Sequence, residues 1–524
     1  MKVTFILLCF YSCCFCFTNG SNILGFFPVP FKSYYFFVKP LLLKLAERGH
    51  NLTIYTMFAD NKVTSYREID IKQCIRTLPD IPFEERIRKV STFTLLNYFY
   101  YIIPKSSAEV YQCPAFAQLL NSSTDQYDLF LTNINHNDWY AGLAYKFKAP
   151  MISVFPNKAF IWFTNTIGAS QHPAFVPSFN SGVSPMMGFR ERMFNTYVYV
   201  LMTVIGQYYT VVPSQKLADE VFGDIPPLVE IVKNTSITFT NTHLPYHVSI
   251  PTPPNLVQLG GMNIIEAGKL PENIEKFINE SKHGVVYFCM GSLLRGETFP
   301  PEKREAFLYA FSKIPQRVLW KWEGDVLPGK SDNIMISKWM PQRDILAHPN
   351  VKLFISHGGL LGTSEAVYEG VPVLGIPIFG DQRTNIKSLE ANGAGELLDY
   401  NEISKEVVLE KIQRLLNDPK YKENAKLLSD RYRDRPMSPL DTAVYWTEYV
   451  IRHKGAPHLR TAAADMPWYQ YLLLDVIAFI VAVLVAGLLI IYYTTKFILR
   501  AIYGLICGGG AKKGSSKSDK KKRN

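Results

Sequence analysis

The sequence predicts an α/β protein of two doubly wound, Rossmann-like domains facing a cleft, with one transmembrane helix near the C-terminus. Three observations carry this reading. The chain opens with a strand, helix, glycine, strand series; a second such series begins at Gly284; and a long uncharged run lies close to the end. At 524 residues the chain exceeds one ordinary core and has room for two domains of roughly 200 residues each. Charged residues at 19% and hydrophobic ones at 48% are folded rather than disordered composition.

The first series starts with the apolar NILGFF at 22–27, broken by residues 28–33. Residues 35–48 have helical spacing and end at Gly49, a natural helix C-cap. NLTIYT at 51–56 is the next strand, completing a βαβ opening. DLFLT at 128–132 and MISVF at 151–155 follow, with a helix-like segment between them. In the second series, strands are expected at 284–290, 318–322, 334–337, 353–356 and 373–376, with a helix at 301–314. Residues 245–271 are proline-rich and contain Gly260-Gly261, which is linker composition. Two such domains leave a cleft at the carboxyl ends of their strands, where ligands bind in open α/β sheets.

The termini read as addresses. Lys2 followed by an apolar stretch, with small residues Thr18 and Gly20 before Ser21, predicts a secretory signal over 1–20. VIAFIVAVLVAGLLIIYY at 476–493 is uncharged, and 471–493 is long enough to span a bilayer. Trp468, Tyr469, Tyr492 and Tyr493 suit its two interfaces. From Lys496 onward there are nine cations and one anion, which is eight of the net eleven positive charges. The high pI is thus a property of the tail and no sign of nucleic-acid binding. By the positive-inside rule the tail is cytosolic and the body lumenal. The expected divisions are signal 1–20, first domain 21–244, linker 245–280, second domain 281–455, juxtamembrane 456–470, span 471–493 and basic tail 494–524. Cys74, Cys113 and Cys289 remain on the lumenal side; a Cys74–Cys113 bridge could form, but nothing in the spacing requires it. Asn-x-Ser/Thr sequons occur at Asn51, Asn121, Asn234 and Asn279, and Asn51, opening a strand expected to be buried, is the least suited to use.

The stretch SKWMPQRDILAHPNVKLFISHGGLLGTSEAVYEGVPVLGIPIFGDQ, residues 337–382, supplies the parts of a nucleotide-sugar site. Trp339 offers a flat ring for a base, with the Met340 backbone beside it; stacking on an aromatic face is worth about 1–3 kcal/mol per base. A strand ends at His357-Gly358-Gly359, where glycine lets backbone approach a ligand, and a helix is expected over 363–369. Strand, glycine turn and helix N-terminus form an anion site. His357 adds a donor, Glu365 reaches toward a ribose diol, and Asp381-Gln382, closing a strand–loop segment, can bind sugar hydroxyls. Alone, His357 or Trp339 would more often be an ordinary core or surface residue; their order and density argue otherwise.

This run resembles the signature of the UDP-glycosyltransferase family, and the resemblance extends over essentially the whole chain. PLLLKLAERGH at 40–50 and residues 349–370 look most like its microsomal animal branch, particularly the insect type. The resemblance implies a GT-B fold, a lumenal body in the endoplasmic reticulum membrane and a tail whose lysines resemble a dilysine return address. It implies that Trp339 stacks on uracil, the Met340 backbone bonds its edge, and Gln342 and Glu365 hold the ribose. Ser292, His357, Gly358, Gly362 and Thr363 would surround the diphosphate, and Asp381 and Gln382 would hold the sugar. Many relatives have Asn and Ser where this chain has Leu361 and Gly362, which leaves backbone N–H groups for the phosphates. No metal or cofactor is implied, the UDP-sugar being a co-substrate; the other partner is a small lipophilic acceptor, and homo- or hetero-oligomers are compatible with the pattern.

The pattern breaks at the base. The family uses a histidine in the loop after the first strand, oriented by an acid after a later strand; here these positions are Tyr34 and Asn133, and residues 21–49 contain no histidine. A phenol of pKa about 10 is a poor base at neutral pH. His136 or Asp138 could substitute, and acceptors that ionise easily need less help. The expectation is inverting transfer of a hexose, UDP-glucose favoured over UDP-glucuronate. The alternatives are a catalytically weak donor-binding homologue that modulates a partner transferase, or a lumenal carrier. The acceptor pocket is expected around Tyr34, Tyr35, 93–101 and 160–170.

Overall fold

A computed structural model describes residues 20–507 except 61, 76–104, 107, 135–136, 179–180, 182, 184–185, 248, 292–295 and 379. The chain forms two compact units, residues 1–464 and 465–524. Within the first lie two all-parallel sheets. Seven strands make up the first: β1 (Asn22–Phe27), β2 (Asn51–Thr56), β3 (Arg67–Asp70), β4 (Leu129–Thr132), β5 (Met151–Phe155), β6 (Ile237–Thr240) and β7 (Leu256–Gln258). Their order is β3-β2-β1-β4-β5-β6-β7. The second contains β8 (Val285–Cys289), β9 (Arg317–Lys321), β10 (Ile334–Ser337), β11 (Val351–Ser356), β12 (Val373–Gly375) and β13 (Gly395–Leu397), ordered β10-β9-β8-β11-β12-β13.

Helices cover both faces, which is why the central strands read as unbroken apolar runs rather than as alternations. Every residue of VVYFC in β8 is buried, as are all but the first of β1. The order of each sheet reverses once, between β1 and β4 and between β8 and β11, and the crevices for ligands lie outside the carboxyl ends of those pairs.

Helix α1 (Lys32–Glu47) leaves β1 and places Tyr34 in its first turn. It starts three residues before the helical spacing predicts and continues through Pro40. Tyr35, Phe37, Val38, Leu41, Leu42 and Leu45 form its buried face. Helix α2 (Phe189–Gly206) buries Asn195, Met202 and Gly206 on one side. In the second half, helices α3 (Gln342–Ala347), α4 (Leu360–Glu369) and α5 (Gln382–Ala391) frame the ends of β10, β11 and β12. Helix α6 (Pro439–Arg452) returns to the first half: Ala443, Val444 and Val450 share a core with Ile23, Leu41 and Leu45. Glu448 takes Arg48 in a two-pronged ion pair, with N–O distances of 2.5 and 3.0 Å.

Several expectations need adjusting. The 245–280 stretch of linker composition contains β7, which pairs with β6. Residues 439–452, within the expected second domain, contribute core to the first. Asn51 stands exposed at the start of β2, its amide donating to Asn22 Oδ1 at 2.9 Å, so burial does not set it apart from the other sequons. Cys74 and Cys113 are joined in a disulfide. The second unit holds the apolar helix α7 (Leu474–Cys507), 34 residues long, a candidate membrane span. It begins three residues later than the expected span and runs on past Lys496 and Arg500. Residues 1–19, where a signal is expected, and the end of the tail lie outside the described residues.

Candidate active site

The second half builds its site around one imidazole. β11 ends at Ser356, and the chain turns through His357, Gly358 and Gly359 into α4. Gly358 has φ +84°, a left-handed value that favours glycine. Gly291, after β8, has φ +82°, and a Cβ there would lie 2.5 Å from His357 Cε1. A Cβ on Gly359 would lie 2.5 Å from His357 Nε2. The ring is therefore clasped by two glycines on adjacent strands' loops. Burial, with a smaller effect of Lys321, pushes the His357 pKa down to about 4, so the ring is a neutral hydrogen-bonding group.

Around this ring the expected residues sort into two groups. Gly362 lies in the first turn of α4, where the N–H groups of Leu360, Leu361 and Gly362 have no acceptor within the helix. Thr363 is placed otherwise. Its hydroxyl donates to the carbonyls of Gly359 and Leu360, both at 3.1 Å, and its N–H to Gly359 at 3.0 Å. It is fully buried, so it braces the helix start instead of offering a donor. Ser292 lies outside the described residues.

Gln342 opens α3 and donates through Nε2 to Glu365 Oε2 at 2.7 Å, which joins the two residues expected at the ribose. Burial pushes the Glu365 carboxyl up to about 7. Met340 is buried in the core, whereas Trp339 beside it is 64% exposed. Lys32 of α1 holds its Nζ 5.0 Å above the Trp339 ring, so the two halves touch at this residue.

Asp381 and Gln382 begin α5 rather than close a strand–loop segment. Asp381 Oδ2 accepts from Asn385 Nδ2 at 2.9 Å, and the same amide reaches the Gly358 carbonyl at 3.0 Å. Burial raises the Asp381 pKa. Asn385, one helical turn on, thus ties Asp381 to the glycine turn, and Tyr246 donates to the Asn385 carbonyl at 3.1 Å. Gln382 is only 3% exposed, and its Oε1 accepts from the Ile378 N–H at 2.7 Å. That oxygen fixes the preceding loop.

In the first half, Tyr34 and Asn133 sit after β1 and β4, the pair at which the strand order reverses. The Tyr34 hydroxyl accepts from Asn157 Nδ2 at 3.4 Å. Asn133 is buried; its Nδ2 donates to the Val154 carbonyl, and its Oδ1 has no partner among the described residues. Asp138 is 5% exposed, its Oδ1 has no partner among the described residues either, and burial pushes its pKa up to about 7. His136 and the 93–101 aromatics lie outside the described residues. Two other acceptor-pocket expectations change. Tyr35 is buried and donates to Glu68, together with Tyr66; Phe160, Ile161, Trp162 and Phe163 pack into the core.

Two parallel sheets in one chain, each with a single strand-order reversal, are the fold of the GT-B class. Solved structures bear this out at the level of fold. The chain superposes on a UDP-glucose: anthocyanidin 3-O-glucosyltransferase in complex with UDP with a TM-score of 0.57 at 18% identity, covering 83% of this chain and all of that one. It superposes on the calicheamicin glycosyltransferase CalG4 with a TM-score of 0.55 at 17% identity, covering 83% and 99%.

The family described as "UDP-glucoronosyl and UDP-glucosyl transferase" matches residues 33–508, and the chain belongs to this UDP-glycosyltransferase family of enzymes. It is 56% identical to UDP-glycosyltransferase UGT5 of Dactylopius coccus over 94% of each chain. It is 39% identical to UDP-glucosyltransferase 2 of the same insect over the full length of both. Rat UDP-glucuronosyltransferase 2B17 is 31% identical over 91% of this chain and 93% of its own.

Two predictions belong to this half. Trp339→Ala should weaken UDP binding by about 5- to 150-fold, the loss of a stacking contact of about 1–3 kcal/mol, as read by calorimetry. Glu365 has a native pKa above its unfolded value, so the unfolded chain binds fewer protons between about pH 4.5 and 7 and stability falls as pH rises through that window. Glu365→Gln should flatten this part of the pH–stability curve measured by denaturant unfolding.

Proposed function

We propose that this enzyme transfers a hexose, glucose in the first instance, from a UDP-sugar to a hydroxyl of a small lipophilic acceptor, with inversion at the anomeric carbon. The observation that carries the reading is the clasped His357 beside the free N–H groups of α4, with the Gln342–Glu365 pair alongside. His357 and those N–H groups would receive the diphosphate, Gln342 and Glu365 the ribose, Trp339 the base, and Asp381 the sugar. In the reaction the acceptor oxygen forms a bond to the anomeric carbon as the bond from that carbon to the UDP oxygen breaks. UDP leaves with the electron pair, and the acceptor's proton passes to a base. The name of UDP-glucosyltransferase 2, matched end to end, supports glucose.

Asp138 is the group we assign as substitute base, since a carboxylate with a pKa near 7 accepts a proton far better than a phenol does. A second reading, a catalytically weak homologue that binds donor and modulates a partner transferase, is favoured by the Asn133 amide being bonded to Val154. We further propose an endoplasmic reticulum location with a lumenal body. The apolar helix α7 and the Cys74–Cys113 disulfide, which requires an oxidising compartment, support it. The test is transfer from labelled UDP-glucose and UDP-glucuronate to a graded series of phenols and alcohols in microsomes. Turnover with UDP-glucose is expected, strongest for acceptors that ionise easily. No turnover with either donor, while UDP still binds, would favour the modulatory homologue.

A further inference from the structure

We propose that Asn385 is a positioning residue for the donor sugar, its side-chain amide holding the Asp381 carboxylate in the plane in which it receives sugar hydroxyls. The inference rests on the transferase reading above and adds to it the group that sets the sugar end of the site.

Asn385 lies in the first turn of α5 and is buried. Its Nδ2 carries two hydrogens, and both are given to acceptors: the Gly358 carbonyl at 3.0 Å and Asp381 Oδ2 at 2.9 Å. An uncharged side chain of this length with two donors on one atom is what those two oxygens need. Ionised aspartate has no donor, leucine has none, and serine has one. The short reach fits the packing, because α5 lies directly on the glycine turn. A Cβ on Gly358 would stand 2.7 Å from Ile386 Cγ1 and 3.0 Å from the Gln382 carbonyl oxygen. A Cβ on Gly375, at the end of β12, would stand 2.2 Å from Ile386 Cδ1.

Position 385 is itself fixed. The Tyr246 hydroxyl donates to its backbone carbonyl at 3.1 Å, and Tyr246 shares a core with Ile386 and Leu389 of the same helix. Tyr246 belongs to the chain running from β6 to β7, so Asn385 is held to the glycine turn by its side chain and to that chain by its backbone. Asp381 is the mobile member of the pair, and a bond to Oδ2 settles the rotation of its carboxylate. The same bond favours the ionised form, which accepts from hydroxyls with both oxygens: burial raises the Asp381 pKa, and the Asn385 amide opposes that rise. A bond from residue 385 to residue 381 also braces the start of α5. Bracing and positioning differ in what they do to a ligand that has the diphosphate without the sugar.

The test is equilibrium binding of UDP and of UDP-glucose to the full-length protein in nanodiscs, for wild type, Asn385→Leu and Asn385→Asp. Asn385→Leu keeps the approximate shape and removes both donors. It should weaken UDP-glucose by about 10- to 100-fold, the usual worth of a hydrogen bond to a charged group, and UDP by no more than about 3-fold. In Asn385→Asp the new carboxyl donates to Asp381 only while protonated, and two carboxyls this close share one proton. Its UDP-glucose affinity, divided by that of wild type at the same pH, should therefore fall about 10-fold or more as pH rises from about 6 to 9, with no such fall for UDP. Equal losses of UDP and UDP-glucose in Asn385→Leu would make the residue a brace of the whole site and overturn the proposal. Undiminished UDP-glucose binding in that variant, or a pH-independent ratio in Asn385→Asp, would overturn it too. A wild type that binds neither ligand would defeat the donor-site reading and this inference with it. A wild type that binds both and transfers no sugar bears on catalysis alone, and the binding outcomes decide the proposal unchanged.

Discussion

Gly291→Ala is expected to cut sugar transfer by about 100-fold or more, the scale on which a displacement of about 1 Å in a reacting assembly is felt. The residue has φ +82°, a left-handed conformation that costs an L-residue about 1–2 kcal/mol. The added methyl would also stand 2.5 Å from His357 Cε1. Gly359 packs against the same Cε1–Nε2 edge of the ring, so the imidazole is closely held there. Either the loop after β8 moves or His357 does, and both belong to the proposed diphosphate cradle. The sheets, whose strands end before this loop, should persist. The measurement is kcat/KM with a labelled UDP-sugar beside a thermal unfolding scan. Wild-type kinetics in a folded variant would mean that His357 plays no part in donor binding.

The second large effect is a gain. Tyr34→His together with Asn133→Asp should raise transfer to neutral alcohols by about 10²–10⁴-fold, the usual contribution of a positioned general base. The two positions follow paired strands, with Phe26 of β1 opposite Thr132 of β4. Asn133 now spends its amide on the Val154 carbonyl. An aspartate there would lose that bond and be free to orient an imidazole at position 34. The gain should be small for acceptors that ionise unaided, so the ratio between alcohols and acidic phenols is the readout. An unchanged ratio would show that proton transfer does not limit the reaction.

The fold was legible because its strands are buried on both faces. Runs such as VVYFC and NILGFF leave few other interpretations, and their expected limits fall within two residues of the observed ones. The elements that escaped are short or at edges. β3 reads REID, with charged residues at an exposed edge, and β7 is three residues inside proline-rich sequence. The return of α6 is invisible locally, since its amphipathic pattern says that a face is buried and not against what. In the site, order along the chain identified His357, Gln342 and Glu365, but not which groups are already committed. Thr363 looks like a ligand donor in sequence, and only its hydrogen bonds show its hydroxyl committed to the backbone; the Gln382 Oε1 is likewise taken by the Ile378 N–H. Asn157 lies in no pattern at all; its bond to Tyr34 across 123 residues is what singles it out.

The return of α6 also bears on how the chain is made. Leu41 and Leu45 are among the earliest residues synthesised, yet the core they enter includes Ala443, Val444 and Val450, made some 400 residues later. At elongation rates of about 5–20 residues per second, that apolar face waits on the order of tens of seconds for its cover. The first half is therefore a nascent intermediate with an open seam, dependent on folding helpers until the last helix of the body arrives. A chain stopped short of residue 439 should stay bound to chaperones even though both of its sheets are complete.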